Sequence, residues 1–438
     1  MSSTIPLQAS SIRAAQRPSF KARVVSISVV AFALRIIIIL VFRTYDISPI
    51  QNHYSFGFET GSIAASLATG HGFGSPFGVP TGPTTWIAPV YPAIVAAAFK
   101  VFGLFSGASA IAILVFNSIC AALTVPFICR IGRRVFDDQS AEVAGWIWAL
   151  VPLFIYWPVT WVWETALSAL LCAIVFSFTL ELETTNWRSW TGLGVLWGAI
   201  ALTSPSLLGF LPASLIYPAW KLRHAWRMAI GRMLIAVVFF VAAIAPWFAR
   251  NEAVFHRLIF VRGNFWFEMS LSNFHTSNGE AWSGLHPAKN PRVLNQYMTT
   301  GEPQFFDAAK TRVMGFVRAY PNEFAKLTAT RIADFWDGGE LMYEPRSLVL
   351  QPWVIALTSA LAFAGLILAA KKGKAWCLFA WLFALFPIPY YLTSTNARYR
   401  HPIEPMMVVL TGFFVVECGR AWNRRRSAQF KSLRSMND

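Results

Sequence analysis

The sequence predicts an all-α protein that crosses a membrane many times, about ten transmembrane helices with further interfacial helices on the outer face. Three observations carry this: composition, the lengths of the apolar runs, and the placement of basic residues. Of 438 residues, 55% are hydrophobic and only 13% charged, far more apolar than a soluble globular chain. Many runs approach the roughly 20 residues of helix needed to cross about 30 Å of hydrocarbon. The basic clusters then fall on one side of the membrane, as the positive-inside rule requires.

The first run, Val24 to Phe42, follows Arg13, Arg17, Lys21 and Arg23, with no small-residue cleavage site after it. It reads as a retained first span with a cytoplasmic N-terminus, not a removable signal peptide. The remaining spans are read at about 110–129, 141–157, 163–180, 190–203, 206–220, 233–249, 352–370, 375–391 and 401–419. "RIGRR", "KLRHAWRMAIGR", "KKGK" and "RAWNRRR" then share the side of the N-terminus. The net charge of +16 is thereby explained by orientation, and no nucleic-acid partner is expected.

This topology holds only if "WIAPVYPAIVAAAFKVFG", 86–103, does not cross, since a span there would invert every later loop. Pro89, Pro92 and Lys100 make it an interfacial helix instead. The organisation is therefore a cytoplasmic tail (1–23), a helical core (24–249) containing a first outer loop (43–109), a second outer loop (250–351), the last spans (352–420) and a basic cytoplasmic tail (421–438). In the second loop, "PQFFDAAKTRVMGFVRAY" and "PNEFAKLTATRIADFW" read as two proline-opened helices, with Phe306, Ala309, Val313, Phe316 and Val317, then Phe324, Leu327, Ile332 and Phe335 at helical spacing. They predict a helical cap. Cys120, Cys129, Cys172, Cys377 and Cys418 lie in or at the ends of spans, so no disulfide framework is implied.

Charges at or near the bilayer are informative, because one at its centre costs about 2.5–3.5 kcal/mol on insertion scales. The outer rim carries Asp46, Glu59, Glu164, Arg250, Arg398 and Arg400; Arg35 lies inside a span. Glu59 opens an amphipathic stretch with Ile63 and Leu67 on its face. It reads as a general base for a hydroxyl, or as a solvated acid favoured by the helix dipole. Glu164 is a second site carboxylate or a helix N-terminal residue serving the dipole. Arg398, Arg400 and His401 in "STNARYRHPIEP" suit a lipid-linked phosphate, against the alternative of arginines snorkelling at a helix end. Arg35 is expected to pair with a polar group of the bundle. Gly70, Gly72, Gly74 and Gly78 indicate turns and close packing, since the strand and lysine of a phosphate loop are missing. The seven histidines form no HxxxH or HxH pair, so any metal would need ligands from distant segments.

Taken in order, "ETGSIAASLATGHGFGSPFG", "GPTTWIAPVYPAIVAAAFKVFG", "APWFARNEAVF", "FVRAYPNEFAKLTATRIADFW" and "NARYRHPIEPMMVVL" resemble the bacterial polytopic glycosyltransferases of family 39, in the GT-C group with protein mannosyltransferases and the aminoarabinose transferase of lipid A. The resemblance covers about residues 24–420. It implies a GT-C fold in a bacterial inner membrane, with both termini cytoplasmic. It implies periplasmic transfer of a hexosyl or pentosyl group from a polyprenyl-phosphate-linked sugar to a lipid, glycan or protein acceptor. The family's acidic base would fall near Phe56 or Gly57; Glu59 stands about one turn further on. On this reading Glu59 is the base, Asp46 and Glu164 are supporting or metal-bound carboxylates, and Arg398, Arg400, His401 and Arg250 hold the lipid phosphate. The turn "LTSPS" has Ser204 where relatives often carry Arg or Lys. Single displacement with inversion follows, and need for a divalent metal is left open. The alternatives are a transporter or flippase of lipid-linked sugars and a non-catalytic GT-C scaffold protein of envelope assembly.

Overall fold

In the computed structural model, which describes residues 19–47, 56–339 and 351–434, Ser19 opens the first helix by accepting the Ala22 N–H. Arg13 and Arg17 lie outside the described residues, as do parts of both outer loops. That helix, α1 (Phe20–Val41), is mostly apolar and leads into the first loop, which contains α2 (Glu59–Ala68) and α3 (Val90–Phe102). The core continues with α4 (Gly107–Val135), α5 (Asp138–Leu150), α6 (Pro152–Thr160), α7 (Thr165–Glu181), α8 (Trp187–Ala201), α9 (Leu211–Lys221) and α10 (Trp226–Phe255). The second loop folds as α11 (Phe265–Ser270), α12 (Pro291–Thr300), α13 (Glu302–Ala319) and α14 (Pro321–Asp337). The chain closes with α15 (Pro352–Lys371), α16 (Cys377–Leu385), α17 (Ile388–Leu392) and α18 (Glu404–Arg434).

Among the described residues, five helices are long and apolar enough to cross a membrane, or six if α5 and α6, bent by 48°, form one broken span. Proline explains the break: Pro152 has no N–H to continue the ladder of α5. Arg35 compensates. Fully buried, it donates to Trp148 O at 3.2 Å and Phe154 O at 3.0 Å across the bend, and to Ala31 O at 2.9 Å. The expected polar partner is thus a set of backbone carbonyls, the groups that the kink leaves unpaired.

Ion pairs gather at one end of the bundle: Arg23–Glu142 at 2.6 Å, Arg420–Asp137 at 2.7 Å, Arg130–Glu181 and Lys372–Glu417. The two long loops meet at the other. There Trp86 and Phe77 of the first loop pack with Phe267, Tyr297, Phe305 and Phe306 of the second. Burial of each such ring contributes roughly 1.5–3 kcal/mol.

A carboxylate fastens the same junction. Buried Glu302, at the start of α13, accepts from Thr84 Oγ1 (2.5 Å), Thr85 N (2.6 Å), Thr85 Oγ1 (2.6 Å) and Tyr297 OH (2.8 Å). Burial pushes its pKa up, against the pull of the hydrogen bonds from Thr84, Thr85 and Tyr297. On α14 the buried face differs from the expected stripe. Ile332 is 42% exposed, and its neighbour Arg331 is buried instead. Arg331 donates to Ser272 O (2.7 Å), Gly279 O (3.0 Å) and Asn273 Oδ1 (3.1 Å), so its fork fixes a coil that has no ladder of its own.

Candidate active site

Gly57 decides where Glu59 stands. A Cβ at Gly57 would lie 2.4 Å from Val162 O and 2.8 Å from the Trp163 ring, and its φ is +69°. Only glycine allows this approach. The chain then turns through Phe58, also at positive φ (+32°), and starts α2 at Glu59. The contact lays the first loop against the Trp161–Trp163 turn and so brings the start of α2 toward the start of α7, which Glu164 precedes.

Trp163 also carries the site's half-buried cation. The Arg398 guanidinium lies 3.4 Å above the Trp163 ring and 4.9 Å from the Tyr399 ring, and its Nη2 donates to Tyr399 OH at 3.2 Å. The stacking extends both ways, with Trp161 on Trp163 (4.6 Å) and Tyr390 on Tyr399 (4.6 Å). Asn396 opens this segment by accepting the Arg398 N–H. Behind it, Ser272 bonds to Thr393 O, and Asn273 donates to Leu392 O at 2.9 Å, so the Arg331 network supports it from the cap. Among the described residues no carboxylate is ion-paired with Arg398, although Glu164 and Glu59 lie within its electrostatic reach.

Glu59, in turn, pairs with a residue of the second loop. Its Oε1 is 3.1 Å from His286 Nε2, and His286 Nδ1 accepts the Ala288 N–H at 3.2 Å. Glu268 completes the cluster from α11: Asn264 Nδ2 donates to its Oε1 at 2.7 Å, and Arg262 Nε donates to Asn264 Oδ1 at 3.0 Å. Burial pushes the Glu268 carboxyl above its ordinary value; Arg262, His286 and Arg398 oppose this, and the Glu59 charge adds to it. Glu59, Glu164, Glu268 and Arg398 are each half-buried, as side chains lining a recess are. Arg262 also acts on Tyr390, whose hydroxyl donates to Ser206 at 2.9 Å, so the "LTSPS" turn borders the same recess.

The expected site residues thus divide. Glu59, Glu164 and Arg398 come together. Arg400 is spent inside the helix packing on Glu404 (3.3 Å), Ile355 O (3.0 Å), Ser359 (2.6 Å) and Thr358 (2.6 Å). Buried His401 binds Glu404 at 2.7 Å and stacks on Trp148. Arg250 sits among Phe73, Trp247 and Phe255 and donates to Thr84 O and Phe73 O, both at 2.9 Å, so it holds the first loop from below. Asp46 is exposed beside Arg43 at 3.7 Å. Among the described residues no three His, Cys, Asp or Glu side chains converge as a metal site, and no step is derived through a metal.

Glu268, Arg262 and His286 escape a reading of the sequence. Glu268 offered one signal, a lone carboxylate inside the aromatic stretch "FWFEM". Single residues in a coil, such as His286, carry no periodicity.

A helical membrane protein whose two long loops set carboxylates near a half-buried guanidinium is the class that this fold and site define. Residues 86–249 match the family model described as dolichyl-phosphate-mannose-protein mannosyltransferase, in line with the likeness to family 39. Among solved structures, the apo oligosaccharyltransferase of Archaeoglobus fulgidus is 14% identical over 94% of this chain and 52% of that chain, with a TM-score of 0.52. The same enzyme tethered with an acceptor peptide containing the NVT sequon is 15% identical over 93% and 51%, also at 0.52. ArnT from Cupriavidus metallidurans bound to undecaprenyl phosphate is 12% identical over 91% and 77%, at 0.41. The oligosaccharyltransferase likeness shows a GT-C-like fold, and the chain spans about half the length of that enzyme. No curated protein matches the sequence.

Proposed function

We propose that the chain is a membrane glycosyltransferase that moves a sugar from a polyprenyl-phosphate donor to an acceptor hydroxyl at the outer face of a bacterial inner membrane, with inversion. One observation carries the reading: a half-buried guanidinium, stacked on Trp163 and with no ion-pair partner among the described residues, stands within electrostatic reach of Glu59 and Glu164. It stacks on Trp163 and gives one N–H to Tyr399, and its remaining N–H groups are the donors by which it binds an oxyanion. The match of residues 86–249 to the mannosyltransferase family model supports the donor class, and mannose is the first sugar to test.

In the reaction, Glu59 takes the proton of the acceptor hydroxyl. The acceptor oxygen bonds to the anomeric carbon as the bond from that carbon to the phosphate oxygen breaks, and the electron pair leaves on the phosphate. Arg398 and Arg262 balance the charge that develops there. Burial favours the protonated form of Glu268, in which its carboxyl can donate a hydrogen bond to the donor sugar or phosphate, and Glu164 holds Arg398 electrostatically. Arg400, His401 and Arg250 act by fixing the segments that carry the site, and Asp46 contributes no contact to the reaction.

Ten crossings are part of this proposal, with 86–103 lying at the interface and both termini cytoplasmic. In support, contacts between loops gather at one end of the bundle and the ion pairs of the helix ends at the other. The reading is tested in proteoliposomes by release of polyprenyl phosphate from polyprenyl-phosphate mannose and a panel of other polyprenyl-phosphate sugars. Glu59→Gln is expected to lower turnover by about 10²–10⁴-fold with lipid binding retained. Unchanged turnover removes Glu59 from the mechanism, and sugar movement across the bilayer without release marks a transporter.

A further inference from the structure

We infer that His286 is a positioning residue for Glu59: it occupies one carboxylate oxygen through a fixed tautomer and so leaves the other as the single proton-accepting atom. The inference rests on the transferase reading, and on four features of the chain itself.

The tautomer follows from hydrogen bonding. A neutral imidazole has one N–H and one lone pair, and His286 Nδ1 accepts the backbone N–H of Ala288 at 3.2 Å. The ring hydrogen is therefore on Nε2, 3.1 Å from Glu59 Oε1. At that distance the Glu59 carboxylate is the acceptor within reach of Nε2–H.

The ring is also held in place. Phe58, Phe77, Trp86 and Phe267 meet it at steep angles, with centroids 5.6–6.3 Å away. Trp86 belongs to the strip clamped by Glu302 through Thr84 and Thr85. Pro287 follows His286 and confines its backbone to the extended region, where it lies at φ −88° and ψ 130°. A flip of the ring would break the Ala288 bond and collide with this aromatic wall.

Glu59 needs such a support. It is the first residue of α2, and three side-chain torsions separate its carboxylate from the backbone. Among the described residues its Oε2 accepts no hydrogen bond, and the charged or titratable groups that face the pair are Glu164, Arg262, Glu268 and Arg398. With Oε1 anchored, Oε2 is the atom turned to the acceptor, and the ordering cost is met before substrate binds.

The test uses the purified full chain, with polyprenyl-phosphate mannose as the donor probe and tautomer measurements that need no turnover. His286→Phe fills the aromatic wall without a donor and is expected to lower kcat about tenfold with the donor KM unchanged. His286→Gln, whose amide nitrogen falls near the place of Nε2, is expected to recover most of kcat. In ¹⁵N-histidine spectra, the resonance lost in His286→Gln is expected to report hydrogen on Nε2 and to shift in Glu59→Gln. A wild-type kcat in His286→Phe, a Gln variant no better than Phe at equal melting temperature, or hydrogen on Nδ1 overturns the inference. An active Glu59→Gln overturns the assignment of the base instead, so the two failures are distinguishable; where Phe fails to fold or the mannose probe is not turned over, the tautomer spectrum decides.

Discussion

At the scale of single residues, chemistry depends on what surrounds each charge more than on its position in the chain. Arg398 and Arg400 are two residues apart, yet the first is stacked between rings in the recess and the second is consumed by Glu404 and α15. Replacing Arg398 by Lys keeps the charge but loses the planar fork and the stacking. The donor KM is expected to rise about tenfold in Arg398→Lys, measured by polyprenyl phosphate release. Glu268 makes a prediction about pH. Its pKa is raised, so it keeps its proton where an ordinary carboxyl has lost it, and loses the proton as pH rises through the raised value. Ionised, it would add negative charge beside the departing phosphate. Transfer is therefore expected to fall on the alkaline side, and Glu268→Gln to remove that limb from the pH profile of kcat/KM.

At the scale of elements, two junctions set the site. Gly57 lets the first loop touch the Trp161–Trp163 turn; Gly57→Ala puts a Cβ 2.4 Å from Val162 O. The neighbouring backbone must move, at a cost of roughly 1–3 kcal/mol, and Glu59 moves with it. A lower melting temperature and a deeper loss of kcat than of donor affinity are expected. Glu302 joins the loops from the other side. Glu302→Ala leaves the Thr85 N–H and three hydroxyls without their acceptor, costing on the order of 2–3 kcal/mol, and faster proteolysis of the second loop would report it. Because the folded pKa of Glu302 is raised, its linked stability is present below the unfolded value and is lost as pH rises through the folded value. Glu302→Gln is expected to flatten that dependence in thermal melts.

At the scale of the whole molecule, the proposed topology has a direct check. In a background without other cysteines, Thr299→Cys is expected to react with an impermeant maleimide on intact cells, and Cys418 only after permeabilisation. Labelling of both from outside would refute ten crossings. Much of the fold was legible because apolar runs and basic clusters are local signals: α4, α10 and α15 stand where long apolar runs occur, and α13 and α14 follow their prolines. The candidate site was legible only in part. Glu59, Glu164 and Arg398 stood out as charges at the rim, whereas Glu268 lies on a helix of six residues and His286 in an aperiodic coil, and their place beside Arg398 and Glu59 depends on segments more than 100 residues away.

The sequence by itself determined that the chain is a helical membrane protein, which residues the bilayer's cost of charge makes conspicuous, and the family likeness. These follow from composition and short-range pattern. Only the tertiary structure decided which charges face one another. It turned Arg400, His401 and Arg250 into supports, left Arg398 without a counter-ion among the described residues, and set His286 against Glu59. The physical reason is distance: electrostatics and hydrogen bonds act over a few ångströms in space. A chain that folds two distant loops together creates such neighbours where no sequence window contains both.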